Sequence, residues 1–200
     1  MNLLNKGISM DKKELQKQRM MKYFIDAAKA LMKQEDMKDI SVRKIADLAG
    51  YSYATLYNYF RDLEHLLWYV IVDILDELAE KLQVVIQSKN HTGINKIKES
   101  GRIYILYFLE NPNAFRLAFT NNPGVPPEDI VAKLKQPTIG GILSKMVYEC
   151  TNDVAKAEII SEVLVGMIHG QLLFHINLNQ IDKEHLLQSM DNACEILLKK

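Results

Sequence analysis

The 200-residue chain has no net charge, with 25 Lys and Arg balancing 25 Asp and Glu, and that total by itself argues against a nucleic-acid partner, whose binders usually carry a basic surface. Cysteine is scarce. Cys150 and Cys194 fall in apolar helical contexts without a CxxC pair, so buried thiols are expected rather than a disulfide framework or a thiolate metal site. The opening MNLLNKGISMDKKELQ has no continuous apolar core and no small-residue cleavage site, so no signal peptide is expected. The longest apolar run, Leu66 to Val72, is far short of a membrane span. No strand pattern, internal repeat or low-complexity tract is apparent. There is no nucleophile elbow, glycine-rich phosphate loop or metal-spaced histidine pair; His169 and His175, six apart, would lie on different faces of a helix. These absences point away from an enzyme, a metal, any other cofactor and a membrane. They leave a cytoplasmic, all-α protein of ordinary soluble composition, long enough for one or two small domains.

The balanced charge hides a split. Residues 1 to 61 hold 12 basic against 7 acidic side chains, and residues 62 to 200 hold 13 against 18. A basic front end on an acidic body fits a DNA-reading head. Within that front end, SVRKIADLAGYSYATLYNYF from Ser41 to Phe60 has the punctuation of two short helices joined by a sharp turn. Ser41 would cap the first, Ile45, Ala46 and Ala49 would face inward, Gly50 would stop it, and Ser52 would cap the second. Leu56 and Phe60 are expected to face the first helix, leaving Tyr53, Thr55, Asn58 and Tyr59 outward and Tyr57 at the boundary.

Geometry of that kind belongs to any pair of short helices. The order Ile45-Ala46, Ala49-Gly50, Ser52, Thr55-Leu56-Tyr57 and Tyr59-Phe60, followed by Glu64 and Leu66-Leu67, closely resembles the DNA-binding signature of the tetracycline-repressor (TetR) family of bacterial transcription regulators. The resemblance is clear over residues 11 to 67; beyond them it rests on helix count and length. It implies about nine helices: a three-helix helix-turn-helix head over 1–62 and an effector-binding and dimerisation body over 63–200.

Periodicity supplies the elements. Asp11 and Glu14 resemble a capping box opening a first helix to about residue 34, with Met21, Phe24, Ile25, Ala28, Leu31 and Met32 inward. Asp62 would cap a long helix, 63 to about 88, that joins head to body and carries any movement of its far end to its near end. Further helices are expected over 94 to 110, from Pro112 through Phe119, through Ile142 to Met146 beyond a break at Pro137, over 153 to 177 and over 183 to 198, with a short turn at Ile130 to Leu134.

By position, Arg43, Ser52, Tyr53, Ala54, Thr55, Tyr57, Asn58 and Tyr59 match or adjoin the places where the resembled family contacts double-stranded DNA. Lys17 and Lys22, in the cationic first half of the first helix, become candidate phosphate contacts beside them. No Arg, Lys or Gln lies between Ser52 and Phe60, so Arg43 is the candidate for a bidentate guanine contact, Asn58 for adenine, and the Thr55 or Ala54 methyl for thymine; the tyrosine hydroxyls suit phosphates. Where the family commonly has a phosphate-binding Lys, this chain has Leu63 between Asp62 and Glu64. That departure keeps open a helical ligand-binding or adaptor protein that has weakened or lost DNA binding.

In the resembled family the body holds a small-molecule effector. Trp68, Tyr104, Tyr107, Phe108, Phe115, Phe119, Met146, Met167 and His169 are the candidate lining of a largely apolar cavity, with His169 or a tyrosine as polar handle. The last two helices imply a homodimer through Ile159, Val163, Gly166, Gly170, Leu173, Phe174, Leu186, Met190, Ala193 and Leu197. Gly166 and Gly170, one turn apart, leave a smooth patch for close helix approach.

Overall fold

Helices form where apolar residues recur at helical spacing and end where capping groups or proline intervene. The computed structural model describes residues 12–121, 123–134 and 139–199, so the expected Asp11 cap and the break at Pro137 lie outside the described residues. Among them are ten α-helical segments and no strand. These are α1 (Lys12–Met32), α2 (Val42–Ala49), α3 (Tyr53–Tyr57), α4 (Leu63–Gln87), α5 (Ile94–Glu110), α6 (Pro112–Phe115), α7 (Glu128–Leu134), α8 (Ile139–Thr151), α9 (Val154–Leu178) and α10 (Lys183–Leu198). The short α7 is the turn expected there, and the others are the nine helices. Two compact units emerge, Met1–Val70 and Ile71–Lys200, so the division falls inside α4 rather than before it.

The first two turns of α4 belong to the head because Phe60 needs them. Its ring is buried, with the rings of His65 and Tyr69 at 5.9 and 5.5 Å. Phe24 of α1, fully buried, meets Tyr51, Tyr59 and Phe60 at 5.6, 6.1 and 6.3 Å. Edge-to-face and tilted contacts at these separations are the favoured aromatic geometries. Ile45, Ala46 and Leu56 complete the core. Asp62 caps α4 by accepting the His65 amide at 2.7 Å, while the Arg61 amide donates to His65 Nδ1 at 3.0 Å.

The body is organised by α5, which packs against α8, α9 and α10. Gly101 leaves room for the Met190 side chain of α10: a Cβ there would sit 2.4 Å from Met190 Cε. Two ion pairs, Lys98 with Glu195 and Arg102 with Asp191 (2.9 Å), border the same contact. Pro112 opens α6 as expected, but Asn111 caps nothing with its side chain, which donates instead to the Tyr107 carbonyl at 2.8 Å. A π-turn, Arg116–Thr120, follows. The Arg116 guanidinium ties it to α9, donating to the Ile176 carbonyl at 2.8 Å and to Asn177 at 3.0 Å. Neither cysteine is in a disulfide; Cys194 is buried, its thiol pushed up to about 12 by desolvation, and Cys150 is half-buried.

Helix α9 is apolar on two sides. Ala157, Ile160, Leu164, Ile168 and Leu172 are buried in the body, whereas Ile159, Val163, Leu173 and Phe174 are exposed at 62, 49, 39 and 45%. Its length and composition would suit a membrane crossing, a property that counting unbroken apolar runs overlooks. Lys156, Glu158 and Glu162 lie exposed on its first turns.

The turn between α2 and α3 depends on Gly50, at φ +78°, which lets the Tyr51 amide reach the Ala46 carbonyl at 3.0 Å. Nothing lies within 4 Å of an added Cβ, so Gly50→Ala should cost only the left-handed conformation, about 1–2 kcal/mol, read as a lowered denaturation midpoint with unchanged slope.

Candidate nucleic-acid interface and ligand cavity

In the head, the caps set which side chains face outward. Ser41 Oγ accepts the Lys44 amide at 3.4 Å, and Ser52 Oγ accepts the Thr55 amide at 3.1 Å. α3 is shorter than expected, ending at Tyr57; the chain continues as a turn in which the Tyr59 and Phe60 amides both donate to the Leu56 carbonyl, at 2.9 and 3.0 Å. With Leu56 buried, Tyr53, Ala54, Tyr57 and Asn58 are exposed side chains of that segment. Tyr53 and Tyr57 hold 57 and 50% of their surface open to solvent, far more than a core tyrosine would.

Two expected members of this face sit differently. Tyr59 is half-buried against Phe24 rather than pointing outward, and the Thr55 hydroxyl pairs with Ser52 Oγ at 2.9 Å, also half-buried. Arg43 on α2 is exposed, as are Lys17 and Lys22 on α1, the latter paired with Asp26 at 2.9 Å. Its neighbour Lys44 is committed to Glu35 at 2.7 Å, a contact that raises the lysine pKa. Leu63 is half-buried and supplies no charge at the start of α4.

In the body, a cavity of about 330 Å³ opens among α4, α5, α7, α8, α9 and α10, with Phe119 of the π-turn at its wall. Among the described residues, fifteen of twenty that line it are apolar or glycine, including Val72, Leu75, Gly101, Leu143, Met146, Ile168 and Met190. The polar exceptions divide by depth. Ser100 and Tyr104 are buried and lie one turn apart on α5, with His169 of α9 half-buried beside them, while Asp76 and Lys133 are exposed and opposite in sign. Tyr104 Oη and His169 Nε2 are 2.5 Å apart. Burial raises the tyrosine pKa and lowers that of the histidine, so both groups are held neutral. Rings enclose the imidazole, with Phe119, Tyr104 and Phe115 centred 4.5, 5.7 and 5.9 Å from it.

Of the expected lining, Tyr104, Phe119, Met146 and His169 reach the cavity and the others do not. Phe108 and Phe115 are buried behind it, stacked edge-to-face at 5.4 Å, because α5 and α6 turn those residues toward each other. Tyr107, on another face of α5, donates to Glu77 at 3.1 Å. Met167 lies on α9 one residue before Ile168, which takes the lining position, and Trp68 lies in the head unit. Ser100 and Gly101 went unnoticed in the sequence; their i, i+4 and i, i+3 spacing to Tyr104 was the available signal.

The expected interface splits too. Ile159, Val163, Gly166, Leu173 and Phe174 are exposed, Gly170, Ala193 and Leu197 half-buried, and Ile196, not foreseen, is 79% exposed. Leu186 and Met190 are instead buried at 0 and 1% within their own chain, on the α10 face turned to α5. They are core residues and not interface residues.

Residues 24–70 match the family model described as bacterial regulatory proteins, tetR family. No curated protein matches the chain. Among solved structures, it is similar to a transcriptional regulator from Cytophaga hutchinsonii ATCC 33406, at 20% identity over 89% of this chain and 96% of that one with a TM-score of 0.68. A TetR transcriptional regulator from Rhodococcus sp. RHA1 matches at 16% identity over 90 and 97% of the chains with a TM-score of 0.66. A protein with unknown function from the same organism matches at 17% identity over 90 and 96%, with a TM-score of 0.72.

The half-buried His169 carries a pH signature. Its folded pKa lies below the ordinary value of 6.5, so between the two values the unfolded chain binds the proton and the folded chain does not. Stability from this group is therefore complete above about pH 6.5 and is lost as pH falls toward the folded value. His169→Phe should reduce the acid loss of denaturant stability between pH 7.5 and 5.5; identical losses in both proteins would remove His169 as its source.

Proposed function

We propose that this chain, a TetR-family protein by its head over residues 24–70 and of the same fold along its length, is a DNA-binding transcriptional regulator that grips a palindromic operator as a homodimer and lets go when a small, largely apolar ligand fills the body. The observation that carries the reading is the surface of α3. Tyr53, Ala54, Tyr57 and Asn58 are exposed on a short helix held by a serine cap and a buried Leu56, an arrangement of little use to the head's own packing. An exposed amide and hydroxyls of that kind suit base edges and phosphates in a major groove.

Each part has its physical role. Arg43 would read guanine and Asn58 adenine, the Ala54 methyl would meet a thymine methyl, and Lys17 and Lys22 would pair with phosphates, Lys22 giving up Asp26 to do so. The exposed stripe of α9, with Ile196 and the small residues Gly166 and Gly170, would be covered by the same stripe of a second copy across a two-fold axis. α4 belongs to both units as one unbroken helix, which makes it the element through which cavity filling would reach the head. Such a regulator would work in the cytoplasm, without enzymatic activity.

One observation favours the other reading, a ligand-binding or adaptor protein without DNA: Leu63 supplies no cation at the start of α4, and Asp62 and Glu64 weaken the positive field of the helix start. A gel shift against the DNA upstream of the chain's own gene separates the two. Retardation is expected, and its absence at low salt would favour the adaptor.

Arg43→Ala should cost ~1 to 3 kcal/mol of operator binding and relax one base position, whereas Lys17→Ala should weaken all sequences alike and flatten the salt dependence. A footprint unchanged in affinity and preference would exclude the Arg43 contact. Val163→Glu, placing a charge in the middle of the α9 stripe, should yield a folded monomer in light scattering with operator affinity lowered at least tenfold; a dimer of unchanged affinity would place the interface elsewhere.

A further inference from the structure

We infer that the body's cavity selects an uncharged, single-headed amphiphile whose polar head is a hydroxyl, read by the Tyr104–His169 pair, and whose aryl or alkyl body fills the apolar remainder. The inference rests on the regulator reading only for its consequence, the release of DNA. The choice of ligand class comes from the wall itself.

Size comes first. At the ~30 Å³ that a water molecule occupies in the liquid, a space of about 330 Å³ admits roughly ten to fifteen heavy atoms. Charge decides next. Among the described residues, the ionic lining groups are Asp76 and Lys133, exposed and of opposite sign, so neither a carboxylate nor an ammonium gains a net counter-charge from them, and both would be stripped of water against an apolar wall. The deep polar groups are neutral: Ser100, Tyr104 and His169. Ser100 spends its hydroxyl on Met146 Sδ at 3.7 Å, a weak contact that a better partner can replace.

The head group follows from how the pair shares its proton. If Tyr104 donates to His169 Nε2, the phenolic oxygen has lone pairs left to accept a ligand proton. If the imidazole donates instead, the tyrosine O–H is left to donate. A ligand hydroxyl, donor and acceptor at once, satisfies either tautomer, while a carboxylate can only accept and an ammonium can only donate. The rings of Phe119 and Phe115, centred 4.5 and 5.9 Å from the imidazole, give the pair an apolar surround.

Four probes that share one body and differ in the head test this: 4-pentylphenol, pentylbenzene, 4-pentylbenzoate and 4-pentylbenzylammonium, titrated into the full-length protein by calorimetry at pH 7.5 with melting temperature as a second readout. The phenol should bind at least tenfold more tightly than the other three. Tyr104→Phe should erase the phenol's advantage over pentylbenzene while leaving pentylbenzene binding in place, which also certifies that the variant cavity is intact. Equal or tighter binding of the benzoate or the ammonium, survival of the phenol's advantage in Tyr104→Phe, or binding of none of the four would each overturn the inference. The same phenol added to a gel shift keeps the two readings apart. Failure to retard DNA at any ligand concentration, with phenol selectivity intact, removes the regulator and leaves the ligand class standing.

Discussion

Helix α9 has more apolar surface than its own chain covers, and the body is arranged around that constraint. One side, Ile160, Leu164, Ile168 and Leu172, is buried, and along its edge Val165, Ile168 and His169 form part of the cavity wall. The opposite side repeats apolar or small residues at Ile159, Val163, Gly166, Gly170 and Leu173, steps of four and three that trace one straight seam along a helix. A helix with two apolar faces gains by covering both. One face is covered within the chain, and a second copy is the occupant proposed for the other. The sharing of α9 between cavity and seam would also couple them: a ligand that displaces Ile168 or His169 shifts the same helix on which the seam is carried.

The cavity wall is largely branched aliphatic, with small or flexible groups at a few positions. Gly101 admits the Met190 side chain, whose thioether adapts its shape as no branched residue can. The π-turn at Arg116–Thr120 then widens the backbone by one residue and brings Phe119 beside His169, the kind of local insertion that re-aims a side chain at a site. Arg116 offsets the irregularity by holding the turn to the carbonyl end of α9, where a cation is also favoured by the helix dipole. The result is a polar pair set in an apolar space, kept neutral by desolvation rather than by a neighbouring charge.

The head was far more legible in the sequence than the body, for a physical reason. Its turn is made by local chemistry: Ser41, Gly50 and Ser52 act on residues three or four away, and Leu56 and Phe60 show their burial by spacing alone. The body depends on contacts between distant segments. Nothing around Met190 announces that it fills the space left by Gly101, so its apolar stripe read equally well as outer surface, and Leu186 was misplaced with it. Aromatic composition alone puts Phe108 and Phe115 at the cavity wall, because it does not say which side of a ring meets a void. Tyr59 erred in the opposite direction: α3 ends at Tyr57, the following turn rotates the chain, and a residue expected outside leans on Phe24.

The surface of α3 also bears on how affinity and selectivity would be divided. With no cation between Ser52 and Phe60, the proposed reading helix brings almost no long-range attraction to a phosphate backbone. That attraction has to come from the rest of the head, where the basic excess lies. Phosphate contacts of this sort are indifferent to sequence, while Asn58 and the Ala54 methyl respond to base identity at short range only. A single head built this way would hold DNA weakly and discriminate modestly, because one amide and one methyl report on few base pairs. Two heads joined through α9 multiply both properties, since the second binding event occurs at the high local concentration set by the first. On the proposed reading, the exposed seam on α9 would complement the uncharged face of α3, because so sparse a reading surface would gain most from duplication.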